Sequence, residues 1–114
     1  MLWNDSTFMN HPSLFWYFFG SLYNKYQEAD PHDGYADLLE ILRYLKGNDG
    51  WFLYHEGTDT MYERADFPMA RVMQGKGSVF YLQCKPCGIL KRAATHKIKL
   101  DHEKCVATSV PVCT

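Results

Sequence analysis

From Ser13 onward the apolar positions fall into helical register. Leu14, Phe15, Phe18, Phe19, Leu22 and Tyr26 recur at three- and four-residue spacings, which gathers them on one stripe of an α-helix. Ser13 stands where an N-cap would, its hydroxyl able to take an orphan backbone N–H. Gly20 weakens such a helix by about 1 kcal/mol relative to alanine without breaking it. The segment Ala29-Asp30-Pro31-His32-Asp33-Gly34 concentrates turn formers and ends the element. A second helix follows, with Tyr35, Leu38, Leu39, Ile41, Leu42 and Leu45 at helical spacing and Asp33 as the expected cap. Arg43 and Lys46 suit the dipole of its last turn, and Gly47 supplies the stop. A short loop between two such helices predicts an antiparallel pair. Residues 1–12, mixed and polar up to Pro12, read as an irregular lead-in.

After Gly50 the period changes. Trp51 to His55 reads as a short aromatic strand, Glu56-Gly57-Thr58-Asp59 as a turn, and Thr60 to Arg64 as the returning strand. Asp66-Phe67-Pro68 is a connector. Arg71 to Gln74, then Gly75-Lys76-Gly77, then Ser78 to Gln83 reads as a second hairpin with glycine where the turn needs it. Ala93 to Leu100 is a further candidate strand. The predicted fold class is therefore α+β: an N-terminal antiparallel helix pair followed by a small antiparallel β-sheet with a C-terminal zinc-knuckle hairpin. A length of 114 residues sets one domain over 1–114, with a helical part at about 13–47 and a β/zinc part at about 51–114.

Composition changes the picture in two respects. Aromatics reach 16% of the chain, enough to thicken a thin core or to anchor an interface. The net charge of −1 hides an asymmetry, since residues 1–83 hold eleven acids against six bases, and residues 84–105 hold six bases against Asp101 and Glu103. The basic back and acidic front suit different surroundings. The most apolar run, Leu14 to Phe19, is six residues long, far short of a membrane span. The first twelve residues carry no Lys or Arg ahead of an apolar stretch, so no signal peptide is read there and an intracellular location, cytoplasmic or nuclear, is expected.

In a reducing compartment, paired cysteines are metal ligands before they are disulfides; in an exported protein the same four would form two disulfides. All four lie after position 83. Cys84-Lys85-Pro86-Cys87-Gly88 has the spacing that lets one tight turn aim two thiolates at a single ion, with a trailing glycine to fold the backbone beneath it. Lys85 and Lys91 favour the thiolate form. His102-Glu103-Lys104-Cys105 repeats the two-residue spacing, so the expected zinc set is Cys84, Cys87, His102 and Cys105. The rival completions use Cys113 with Cys105, or His96 with His102.

Two resemblances attach to these residues. The run Cys84-x2-Cys87-Gly88 followed by Ile98-Lys99-Leu100-Asp101-His102 resembles the opening of HNH (His-Me finger) nucleases. The resemblance implies His102 as general base and Asp101 as support for a divalent metal. That family completes its metal site from a following helix with Asn or His, and the twelve residues after His102 contain neither, so what is implied is a degenerate HNH-like nuclease. Val79-Phe80-Tyr81-Leu82-Gln83-Cys84, then Cys87, Lys91-Arg92, His102 and Cys105, is similar to the WRKY and FLYWCH group of DNA-binding zinc fingers. The cysteine spacing is tighter than in that group, and its DNA-reading strand has no counterpart here.

Phosphate-cradling glycine loops, the nucleophile elbow and H-E-x-x-H are absent from the sequence. A zinc with four protein ligands leaves no corner for water, which favours a structural role and a non-enzymatic protein. The expected function is a small zinc-stabilised module acting through protein–protein interaction, as an adaptor or inhibitor. The alternative is nucleic-acid binding through Lys91, Arg92, Lys97, Lys99 and Lys104, residues that would equally suit an acidic protein partner.

Overall fold

The computed structural model describes residues 4–93 and 97–113. Internal contacts gather the chain into two compact units, one formed by Met1–Glu28 with Leu82–Thr114 and the other by Ala29–Tyr81. Helices with small sheets make the class α+β. No helix among the described residues is long and apolar enough to cross a membrane.

The first unit opens with α1 (Asp5–Asn10), where the sequence pattern predicted no structure. The Asn4 side chain accepts from the Thr7 N–H at 2.7 Å, and Asp5 sits at the positive end of the dipole; this local capping outweighs the absent periodicity. α2 (Pro12–Glu28) starts with proline at the first helical position, where a missing N–H costs nothing. Its buried residues are Trp16, Gly20 and Tyr23, one face spaced by four and three residues and rotated from the predicted stripe. Phe18, expected inside, is 36% exposed. Five consecutive aromatics at 15–19 leave the helix apolar on several sides, so periodicity alone could not choose the buried face.

Gly20 makes that choice. α2 packs against β5 (Leu100–Asp101) and β6 (Val106–Ala107), which pair antiparallel with Leu100 opposite Ala107. A Cβ on Gly20 would meet Ile98 Cγ2 at 2.9 Å, so glycine is what lets this segment approach the helix. Asn24 fixes the approach: its amide donates to the Ile98 carbonyl and its carbonyl accepts from the Ile98 N–H, both at 2.8 Å. Of the predicted strand from Ala93 to Leu100, residues 94–96 lie outside the described set, Ala93 and 97–99 are not strand, and Leu100 falls in β5. β3 (Tyr81–Gln83) pairs with β4 (Leu90–Arg92) on either side of the cysteine turn.

The second unit is organised by α3 (Asp33–Lys46). Its N-cap is His32, not Asp33: His32 Nδ1 accepts from the Gly34 N–H at 3.1 Å, and Asp33 falls in the first turn. Gly47 ends the helix at φ +66°, its N–H donating to the Arg43 carbonyl at 2.9 Å. Leu39, Trp51 and Phe67 form the core, ringed by Tyr35, Leu38, Leu42, Leu53, Tyr62, Ala65 and Val72.

Neither predicted hairpin of this region forms. β1 (Leu53–His55) pairs in parallel with β2 (Val72–Gln74), Tyr54 lying opposite Met73. Parallel neighbours need a crossover, and residues 60–64, expected as a returning strand, supply part of it as the helix α4 (Met61–Arg64). Asp59 starts that turn by accepting from the Met61 N–H at 2.9 Å. After β2 the chain turns at Gly75-Lys76-Gly77 without pairing back. The Val79 N–H donates instead to the Thr58 carbonyl at 2.9 Å, and Val79 and Phe80 are buried.

Candidate metal centre

β3 delivers Cys84 at its end, and the backbone then closes a tight loop. The Gly88 N–H donates to the Cys84 carbonyl at 2.8 Å, and the Cys84 N–H donates to the Ile89 carbonyl at 2.9 Å. Gly88 holds φ +71°, a left-handed conformation that a side chain disfavours, as the two-cysteine turn requires. Gln83 steadies the loop by donating its amide to the Gly88 carbonyl at 3.3 Å.

The thiols of Cys84, Cys87 and Cys113 lie within 4.8 Å of one another, a group that could hold a metal ion. Cys87 Sγ and Cys113 Sγ are 3.7 Å apart. A disulfide needs about 2.05 Å, whereas a tetrahedral ion with metal–sulfur bonds of about 2.3 Å holds two thiolates about 3.8 Å apart. The spacing is thus that of neighbouring corners of a thiolate tetrahedron. All four cysteines are free thiols.

Electrostatics of the trio follow from crowding. The Ile89 backbone amide and the Cys84 thiol donate toward Cys87 and hold its pKa below the ordinary thiol value. Cys113 is pushed up to about 11, because hydrogen bonding with Cys84 and then Cys87, partial desolvation, and the repulsion of their charges all favour its proton. The trio is thus unequal, with Cys87 made more acidic and Cys113 less so, and a divalent cation held there would relieve the crowding by replacing protons with positive charge.

Of the residues expected to ligate, Cys84, Cys87 and Cys113 come together. No fourth Cys, His, Asp or Glu among the described residues lies within the same distance of all three. His102 and Cys105 instead border α2. The Tyr17 hydroxyl and His102 Nδ1 are 3.2 Å apart, and the Cys105 thiol donates to the His102 carbonyl at 3.6 Å. Tyr17 has a raised pKa from desolvation first and from the neighbouring Cys105 second. Nothing in the sequence pointed to Tyr17, which lies 85 positions from His102. Cys105 takes φ +53°, closing the turn between β5 and β6. Asp101 begins that turn by accepting from the N–H groups of Glu103 and Lys104 at 3.1 and 3.0 Å. The carboxylate that the nuclease resemblance would give to a metal thus serves as a backbone cap. His96 lies outside the described residues.

The basic positions Lys91, Arg92, Lys97, Lys99 and Lys104 are all exposed. Lys97 pairs with Glu28, and Lys85 with Asp5 at 2.5 Å, so acids of the N-terminal helices are interleaved with the bases.

No protein-family model matches the chain, and no curated protein does. Solved structures do match. Among them is a mutant Sir2 homologue in complex with 2'-O-acetyl ADP ribose, superposing with a TM-score of 0.70 at 21% identity over 93% of this chain. The chain spans 42% of that protein's length. At this identity the match concerns the fold alone: the chain folds like part of a Sir2 homologue.

Proposed function

We propose that the chain is a zinc-stabilised binding module whose zinc is structural and whose work is protein–protein interaction, as an adaptor or inhibitor. The observation that carries the metal assignment is the 3.7 Å separation of Cys87 and Cys113 within the three-thiol group. Bound there, zinc supplies a cross-link between the β3–β4 loop and the segment after β6. Support for the protein partner comes from apolar side chains left in water: Ile41, Tyr44 and Leu45 recur at three- and four-residue spacing along α3 and are 53%, 88% and 63% exposed. Large exposed residues at helical spacing suit a docking face. Nucleic-acid binding gains less support, because Glu28 and Asp5 already occupy two of the bases of the C-terminal segment.

A second reading has an observation of its own. β1 and β2 run parallel, so the loops at 56–59 and 75–78 emerge at the same end, the end where open α/β sheets bind ligands. Gln74 ties the first loop down, donating to the Gly57 and Asp59 carbonyls at 2.8 and 2.7 Å. The Sir2 homologue carries an ADP-ribose ester, and this loop pair is where we place part of a site for such a ligand.

Elemental analysis of the purified chain tests the first reading, with about one zinc per chain expected and its removal by chelator unfolding the first unit. A chain that folds identically without metal overturns it. Titration with ADP-ribose, followed by amide shifts at 56–59 and 75–78, tests the second; unmoved signals there discard it.

A further inference from the structure

We propose that the outer face of the β1–β2 sheet is an interface with a second copy of this chain, the two sheets stacking face to face. This names a partner for the binding-module reading and rests on that reading, but not on the metal. Alternation along the strands separates the two faces. Leu53 and Val72, opposite each other in the register, pack against the core of Leu39, Trp51 and Phe67. Tyr54 and Met73 are the next pair and lie on the other face, which Phe52, two positions before Tyr54, shares. Phe52 is 63%, Tyr54 55% and Met73 54% exposed. Parallel strands are ordinarily covered on both faces, because helical crossovers pack onto each. Here α3 supplies Leu39 to the inner face, and the outer one stands in water. Tyr54 is already fixed for contact: its hydroxyl donates to Glu56 Oε1 at 3.5 Å, and the phenol end of its ring lies where a Cβ on Gly75 would collide with it. An aromatic ordered in advance loses little further freedom on association.

Charge and area select the occupant. Glu56 pairs with Lys76 at 3.2 Å beyond the C-terminal ends of the two strands, and Asp49 pairs with Arg71 at 2.8 Å ahead of their starts. Each end of the sheet therefore carries one charge of each sign. A strongly acidic or basic partner finds no field to match, whereas a copy related by a two-fold axis meets a rim as balanced as its own. The whole-chain charge of −1 adds little repulsion between copies. The three exposed side chains leave about 350 Å² in water. Apolar atoms form about 57% of an ordinary interface, so that core implies about 600 Å² per protomer and about 1,200 Å² in all, the lower end for specific pairs. Such an area supports a dimer of modest affinity.

Sedimentation equilibrium of the full chain in reductant, across about a hundredfold dilution, reads the mass without contribution from intermolecular disulfides. Zinc content and far-ultraviolet dichroism are measured on every sample. A concentration-dependent equilibrium between monomer and dimer is expected. Met73→Glu and Phe52→Ser are each expected to weaken it at least about tenfold, and Tyr44→Ser, on the exposed side of α3, to leave it unchanged. Both sheet positions are exposed, and the serine variant decides the matter where the glutamate one does not fold. A monomer at every concentration overturns the proposal and leaves the binding-module reading to α3. A dimer indifferent to both sheet substitutions also overturns it. So does a dimer lost through Tyr44→Ser alone, which would assign self-association to α3 instead. A chain that holds no zinc yet dimerises through the sheet upholds the proposal and removes the metal reading.

Discussion

Replacing Gly20 sets two effects of known size against each other. Alanine at a mid-helix glycine gains about 1 kcal/mol of helix propensity. Against this, the new Cβ would lie 2.9 Å from Ile98 Cγ2, 3.2 Å from Ile98 Cβ and 3.2 Å from Leu100 Cδ2. A methyl at the end of a flexible chain would swing aside, but Ile98 Cβ is fixed to a backbone that Asn24 grips at both N–H and carbonyl. Overpacking a site that cannot relax costs about 1–3 kcal/mol. Gly20→Ala is therefore expected to be destabilising by about 1 kcal/mol after the propensity gain. Gly20→Val adds two more methyls toward Leu100 and forfeits most of the propensity advantage, for a loss of about 3 kcal/mol. Urea unfolding of the chain, followed by ellipticity at helical wavelengths, reads this directly. With a slope of about 1–3 kcal/mol/M, the valine variant shifts the midpoint down by about 1–3 M. An alanine variant more stable than the parent by the full propensity gain would refute the argument, since it would mean that the 97–100 segment moves freely off α2.

Phe67→Ala removes the best-buried aromatic of the second unit, 3% exposed and edge-on to Trp51 and Tyr62 at centroid distances of 6.0 and 5.0 Å. A loss of about 3–5 kcal/mol is expected, visible in thermal unfolding and in Trp51 emission; a change under about 1 kcal/mol would show that the site collapses around the void. Zinc affinity is expected to climb with pH. Cys113 retains its proton up to about pH 11, so below that zinc must displace at least one proton. The logarithm of apparent affinity then rises by at least about one for each pH unit between about pH 6 and about pH 8. A flat profile in competition with a chromophoric chelator would count against displacement of thiol protons by zinc at this group.

Helical periodicity locates α2 and α3 because their signals are local, and Gly47 marks its boundary for the same reason: its left-handed φ is a single-residue requirement. α1 is invisible to periodicity because it is made by a cap, Asn4, and buries nothing. The stretch from Trp51 to Gln83 reads as hairpins because neighbouring apolar runs separated by glycines ordinarily pair with each other. Here the partner of β1 begins nearly twenty residues later, and no turn signal records a parallel pairing carried through a crossover. The cysteine centre divides along the same line. Cys84 and Cys87 are legible from their shared turn, whereas Cys113 reaches them only after the chain has returned along α2 through β5 and β6. Asn24 and Tyr17 carry no sequence signal at all, since each acts on a segment more than seventy positions away.

The order in which the chain is synthesised gives the division into two units a temporal meaning. The 29–81 unit is continuous in sequence, so all its parts emerge before residue 82 does. The other unit draws on both sides of it and must wait. Until the 97–107 segment appears, the buried face of α2, with Trp16 and Tyr23, lacks the strands that pack against it. Joining the two parts closes a loop of more than fifty residues, but if the intervening unit has already folded, the ends to be joined are no longer those of a free coil. The thiols at 84, 87 and 113 belong to this later-closing unit, so a metal held by all three would bind only after residue 113 has emerged.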